Sequence, residues 1–140
     1  GRRAMRAKLK GEQDLMKQLE KRLGKRKMLR ITDDALIAGG NKVASIIEKD
    51  MFSARGQGTG KSARATSVSK PETIAGTRTV KIHWNDGSER FRIIHLNEYG
   101  HFDKAGKWVN PSGKGVIENA LRQGRDVYFA EVKAELKRRL

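Results

Sequence analysis

The apolar residues near the start of this chain follow helical spacing. Three leucines recur at every fourth position: Leu15, Leu19 and Leu23. Gly24 follows the last of them, so the pattern predicts a short amphipathic helix that ends at the glycine. Residues 2–10 show no apolar period and are predicted to form a basic arm. We therefore expect residues 1–30 to be an arm and a short helix, followed by one domain over residues 31–140.

A second amphipathic helix is predicted to begin at Thr32, whose hydroxyl suits an N-cap. Asp33 and Asp34 would then lie at the positive end of the helix dipole. Its apolar face comprises Leu36, Val43, Ile46, Ile47 and Met51. Gly39 and Gly40 lie on the same face, where each glycine costs about 1 kcal/mol relative to alanine. The pair therefore predicts close approach of another backbone; drift at a tolerant position is the alternative.

Residues 53–70 are rich in Gly, Ser and Thr and contain no acidic residue. They predict a long mobile loop, and such loops are usually functional or disordered. Its cations are candidates for contact with DNA or with an acidic partner: Arg55, Lys61, Arg64 and Lys70. Residues 56–62 look like a phosphate-binding loop, but Arg55 stands where that motif needs its first glycine. Because no buried strand precedes the loop either, we do not expect nucleotide binding there.

Alternation of apolar and polar residues predicts a half-buried strand over residues 77–84. Its apolar face comprises Val80, Ile82 and Trp84. A turn at residues 85–88 follows, and two interpretations of residues 89–99 stay open. They form either a hairpin partner strand or a helix of about eleven residues that ends at Gly100. Residues 107–109 are predicted to form another short strand.

A long helix is predicted from about residue 114 to the end of the chain. Its apolar residues fall into two stripes, separated by a quarter turn or more at about 100° per residue. The first stripe comprises Ile117, Ala120, Leu121, Gly124, Val127 and Tyr128. The second comprises Phe129, Val132, Leu136 and Leu140. Since one core needs only one stripe, the second is a candidate subunit interface; a curved contact with a single core is the alternative.

The excess of positive charge bears on partners more than on the fold. The 31 Lys and Arg exceed the 16 Asp and Glu, which gives a formal net charge of +15. Twelve of the cations lie in the first 30 residues, more than solubility requires. A polyanion is therefore the expected partner. Nucleic acid is favoured over a membrane, because no basic helix carries a large apolar face and no apolar run approaches the roughly 20 residues of a membrane span.

Residues suited to catalysis or to metal binding are few. The absence of cysteine excludes disulfides and thiolate metal sites, and no Gly-x-Ser-x-Gly motif occurs. The three histidines match no metal-ligand spacing. Helix-turn-helix and zinc-finger spacings are also absent, and the few aromatics argue against stacking on single strands. We expect no enzymatic activity and no cofactor, but sequence-independent contact with duplex phosphates or with an acidic protein surface.

Residues 88–100, Ser-Glu-Arg-Phe-Arg-Ile-Ile-His-Leu-Asn-Glu-Tyr-Gly, resemble the signature of the siphophage tail-completion, or head–tail joining, family. The matching residues are Phe91, Ile94, His95, Leu96, Glu98, Tyr99 and Gly100. A Pro/Gly turn at 110–113 and an apolar start to the final helix fit the family's order, as do the two earlier helices. The chain departs from the family in its central loop. Many members carry Arg-Thr-Gly-x-Leu there, and this chain has Gly-Lys-Ser-Ala-Arg at residues 60–64.

The resemblance implies an α+β subunit, in which an N-terminal helix, a long second helix and a long C-terminal helix flank a small antiparallel sheet of three to four strands. It favours the helical interpretation of residues 89–99. It also implies a closed ring, six-fold or higher, around the double-stranded DNA of the channel. The ring would lie in the neck of the virion, between head-closure or adaptor proteins and tail-terminator or tube proteins, after assembly in the host cytoplasm. A free-standing, sequence-independent nucleic-acid-binding protein is the alternative.

Overall fold

The computed structural model describes residues 2–52, 66–85, 91–105 and 114–139. Within these ranges lie three helices: α1 Arg2–Leu23, α2 Lys25–Ile46, which continues into a π-helical turn Ile47–Phe52, and α3 Lys114–Arg139. The same ranges contain five strands: β1 Ser67–Val68, β2 Glu72–Ile74, β3 Thr77–Asn85, β4 Phe91–Asn97 and β5 Phe102–Ala105. The α+β class and the order of the helices are confirmed. The strand predicted at 107–109 lies outside the described residues.

The five strands form one antiparallel sheet in the order β1-β3-β4-β5, and β2 also pairs with β3. Because β4 occupies the other edge of β3, β1 and β2 share one edge as an interrupted strand around Pro71. A proline has no N–H for a ladder, and such an interruption suits an edge strand. Ser69 bridges the gap: its N–H donates to the Lys81 carbonyl at 2.8 Å, and its Oγ accepts from the Lys81 N–H at 2.9 Å.

The core lies between the helices and one face of the sheet. The sheet contributes Val80, Ile82, Trp84, Ile94 and Leu96, all buried. The helices contribute buried side chains from each of the three: Leu19, Leu36, Val43, Tyr128, Phe129 and Val132. Alternation along β3 and β4 places Lys81, His83, Ile93 and His95 on the opposite face, where they are partly exposed.

The N-terminal part of the chain differs from the prediction. Residues 2–10 continue α1 as helix, and α2 begins at Lys25, not at Thr32. Gly24 separates the two helices with a φ of 83°, in the left-handed region that favours glycine. Thr32 is buried inside α2 and caps nothing. The predicted boundary between residues 30 and 31 therefore falls within a continuous helix, and Leu19 of α1 belongs to the common core.

The helical interpretation of residues 89–99 is wrong. Residues 91–97 form β4, whose alternation places Ile94 and Leu96 opposite Ile82 and Val80 on the core side of the sheet. The pairing with β3 buries this apolar pair more completely than a solvent-facing helix would. Gly100 does have positive φ, but it serves a hairpin turn between β4 and β5 and not the end of a helix.

The predicted close approach of another backbone is confirmed at Gly39, whereas Gly40 lies against side chains of the sheet. A Cβ on Gly39 would lie 2.8 Å from the carbonyl oxygen of Gly124 in α3, and a Cβ on Gly40 would lie 2.9 Å from Val68. A Cβ on Gly124 would in turn lie 2.4 Å from Val43. The backbones of α2 and α3 therefore touch where they cross, and α2 also lies directly on the sheet.

Candidate functional site

The turn between β4 and β5 holds the Glu-Tyr-Gly end of the family-like motif. Asn97 closes it: its Oδ1 accepts from the N–H groups of Tyr99 and His101, at 2.9 and 3.2 Å. The Gly100 N–H donates to the Asn97 carbonyl at 2.9 Å. Gly100 has a φ of 77°, which an L-residue with a side chain adopts only at a cost. The asparagine and the glycine are thus what this three-residue turn requires.

Helix α3 packs directly on this turn. A Cβ on Gly100 would lie 2.4 Å from Cε2 of Phe129, so the aromatic ring fills the space that a side chain would need. The neighbouring Tyr128 hydroxyl donates to the Glu98 carbonyl at 2.7 Å. Burial of the phenol, and next the nearby carboxylate of Glu98, raise the pKa of Tyr128 well above its usual range. The hydroxyl therefore remains a proton donor to the turn.

Glu98 also connects the turn to β3 and, through Arg78, to α2. Its Oε1 accepts from the Arg78 N–H at 2.9 Å, and its own N–H donates to the Arg78 carbonyl at 2.9 Å. The guanidinium of Arg78 forms a bidentate ion pair with Asp33, at 2.7 and 2.8 Å. The hydrogen bond to Asp33 raises the pKa of Arg78. Asp33, predicted to serve a helix start, instead joins α2 to the sheet.

The motif is therefore mainly a structural junction. Ile94 and Leu96 are fully buried, whereas His95 lies on the opposite face of β4, between Lys81 and Asp103 of the flanking strands. Three further motif members complete the turn: Glu98, Tyr99 and Gly100. The Tyr99 side chain is 44% exposed. Phe91 begins β4, and its side chain lies outside the described part.

Two members of the predicted subunit interface lie inside the subunit. Phe129 is 2% exposed and Val132 is fully buried, so neither is available to a neighbouring chain. The β4–β5 turn packs on Phe129 at Gly100, and the ring of Phe129 packs edge-on against Tyr128 with 5.0 Å between the ring centroids. Both apolar stripes of α3 therefore contribute to one core. The prediction is wrong for these two residues. The side chains of Leu136 and Leu140 lie outside the described residues.

The predicted basic loop is described only at its end, where Lys70 is exposed; Arg55, Lys61 and Arg64 lie outside the described residues. A more compact group of cations lies where α1 meets α2. We name it the basic junction, and it comprises Lys17, Lys21, Arg22, Lys25, Arg26, Lys27 and Arg30. All seven side chains are exposed. The sequence located the charge excess in residues 1–30, but not the helical junction that collects it.

The packing of α1 and α2 leaves the side chains of the basic junction facing solvent. Leu19 and Met28 are buried, and Leu15 and Leu23 pack against the same core, so the cations occupy the remaining faces. Helix α2 begins here without a side-chain cap and without an acidic residue in its first turn. The positive end of its dipole lies beside the negative end of the dipole of α1, so the positive potential at the junction comes from the side chains.

No group of three or more His, Cys, Asp or Glu side chains in the described ranges is placed to hold a metal ion. None of the helices described is both long and apolar enough to cross a lipid bilayer. No protein-family model, curated protein or solved structure matches the chain.

Proposed function

We propose that this chain is a structural subunit of a tailed bacteriophage, of the tail-completion or head–tail joining type. The observation that carries the proposal is the resemblance of residues 88–100 to the family signature, followed by a Pro/Gly turn and a long final helix. The strand at 91–97 departs from the helix that the resemblance favours. Glu98 of this motif forms a junction with β3 and α3 and, through Arg78, with α2. A motif with that place in the fold would mark a family by its architecture, not by a reaction.

In this role the subunit forms a closed ring, six-fold or higher, around the DNA channel of the neck. It contacts head-closure or adaptor proteins on one side and tail-terminator or tube proteins on the other. A part of this kind aligns and holds its neighbours, so the proposal includes neither catalysis nor a cofactor. Since Phe129 and Val132 are buried, Leu136 and Leu140 remain as the members of the proposed subunit contact.

Loss of the gene in its phage tests the proposal directly. We expect electron micrographs to show filled heads and separate tails, and complementation by the wild-type chain to restore joined particles. Normal, infectious tailed particles from the deletion phage would overturn the proposal. The mass of the purified chain, alone and with the adjacent neck proteins, then gives the number of subunits in the ring.

A free-standing nucleic-acid-binding protein is the second candidate, and the basic junction favours it. Phosphate contact without base readout needs clustered cations, and seven exposed ones lie within 14 residues. A chain that stays monomeric with the neck proteins, is dispensable for joining and binds duplex DNA at near-micromolar affinity supports this candidate. A ring that assembles with those proteins supports the first.

A further inference from the structure

We infer that the basic junction is a surface by which this protein contacts the phosphate backbone of double-stranded DNA. The inference does not depend on the assembly in which the chain works, because the surface is complete within one subunit. It says which of the excess cations contact DNA, a point on which the proposed function is silent.

The basic junction carries positive charge that few neighbouring carboxylates compensate. Seven cations lie between residues 17 and 30, where Glu20 is the one carboxylate. In the part of the chain that the structure describes, no ion pair involves any of the seven. Three cations elsewhere do form ion pairs: Arg78 with Asp33, Lys81 with Glu72 and Arg138 with Glu135. The junction therefore retains its field for an external anion.

The side chains at the basic junction suit duplex DNA better than a membrane or single-stranded nucleic acid. A membrane-binding helix needs a free apolar face beside its cations, but at the junction Leu19, Leu23 and Met28 pack on the core. Leu29, 47% exposed, is the large apolar side chain left at the junction among the described residues. The segment contains no aromatic residue, so it offers no stacking platform for single-stranded bases. Clustered Lys and Arg without these features suit duplex phosphates.

Charge reversal at two arginines tests the inference. Arg26 and Arg30 are four residues apart on the exposed side of α2. We expect R26E/R30E to weaken binding of a short random-sequence duplex about 30-fold at physiological salt, and to lower the slope of log K against log salt by about 2. Fluorescence anisotropy over a salt series measures both quantities.

A matched control separates this surface from net charge. K42E/K49E changes the net charge by the same amount at two exposed lysines, which lie about 25 Å or more along the axis from the start of α2. We expect a change of less than about threefold for this control. Circular dichroism verifies that both variants retain the fold.

Two results would overturn the inference: equal weakening by both variants, or binding unchanged in R26E/R30E. Tighter binding of the wild-type protein to phosphatidylserine vesicles or to a polyglutamate peptide than to the duplex, at matched salt, would also reject DNA as the partner. None of these results bears on the proposed head–tail joining role, whose test is the joining of heads and tails; rejection of DNA as the partner would also remove the second candidate function.

Discussion

Gly100 combines two demands that no other residue type meets. Its φ of 77° is unfavourable for a residue with a Cβ, and the ring of Phe129 occupies the position of that Cβ. Gly76 offers a natural comparison, because it has a φ of 81° but open space around its Cα. The pair separates backbone strain from packing within one molecule.

We expect Gly100→Ala to lower the free energy of unfolding by about 3 kcal/mol, of which about 1 is backbone strain and the rest is overpacking against Phe129. Gly76→Ala carries the strain alone and should cost about 1 kcal/mol. Urea titrations followed by circular dichroism measure both. Equal losses in the two variants would mean that the packing of α3 on the turn contributes nothing.

The buried phenol of Tyr128 couples the stability of the fold to alkaline pH. Burial raises the pKa of Tyr128, so the folded chain retains a proton that an unfolded tyrosine releases near pH 10. The stabilisation is complete below that pH and is lost as the pH rises, by up to about 1.4 kcal/mol per unit. We expect Tyr128→Phe to lower the free energy of unfolding by about 1 kcal/mol at neutral pH, because the hydrogen bond to Glu98 is lost. Above about pH 10, the free energy of unfolding of this variant should fall less steeply than that of the wild type.

The measurement is the free energy of unfolding in urea at several pH values between 8 and about 11. Tyr99→Phe is the control, since it removes an exposed phenol and leaves Tyr128 in place. The control should follow the wild-type dependence on pH. A Tyr128→Phe curve parallel to the wild type would show that this hydroxyl does not couple folding to pH.

At the scale of the elements, α2 and α3 cross in close contact. Their backbones meet at Gly39 and Gly124, and Val43 occupies the space beside Gly124. An alanine at Gly124 gains helix propensity of about 1 kcal/mol but must displace Val43 or the backbone of α2. The sign of the change in the free energy of unfolding therefore shows whether helix propensity or overpacking dominates. The distance of 2.4 Å between the added Cβ and Val43 favours overpacking.

We predict that Gly124→Ala destabilises the chain by about 2 kcal/mol. Gly11→Ala in α1 should stabilise it by about 0.5–1 kcal/mol, since a Cβ there meets nothing within 4 Å. Removing the obstacle provides the stringent check: in a Val43→Ala background, Gly124→Ala should cost at least about 1 kcal/mol less than in the wild type. An unchanged cost in that background would place the clash elsewhere.

The strand over 77–84, the paired glycines of α2 and the long final helix were all predictable, because each depends on spacing or on local propensity. Residues 91–97 were not, because two interpretations fit the same apolar residues and only pairing with β3 distinguishes them. The start of α2 was missed for a related reason. Thr32 has the chemistry of a cap, but burial against the rest of the fold decides its place.

For the candidate site too, local features were predictable from the sequence and long-range contacts were not. The charge excess of residues 1–30 follows from counting, and the importance of the Glu98–Gly100 turn followed from the family signature. The long-range contacts did not: neither the pairing of Asp33 with Arg78 nor the cover of Gly100 by Phe129 has a local signal. Each joins residues about 30 or more positions apart, which apolar periodicity does not relate.

At the scale of the whole molecule, α1, α2 and α3 lie in one core, and the basic junction lies on its surface. Leu19 of α1 and Val132 of α3 are both fully buried in that core. Both helices are thus parts of the folding unit, and this changes where a truncation can separate folding from assembly. A chain that ends at residue 129 loses Val132, whereas a chain that ends at residue 134 retains it.

We therefore expect truncation after residue 129 to lower the free energy of unfolding by about 2 kcal/mol or more, through the loss of a buried aliphatic side chain and the last turns of α3. Truncation after residue 134 retains the core and removes Leu136 and Leu140, the remaining members of the proposed subunit contact. It should leave the midpoint of thermal unfolding of the monomer within a few degrees of the full chain and reduce ring formation. Sedimentation velocity with the neck proteins and thermal unfolding of each chain distinguish these effects. A full complement of rings from the chain ending at 134 would remove both leucines from the contact and direct the search to the face of the sheet around His95, where the described side chains are partly exposed.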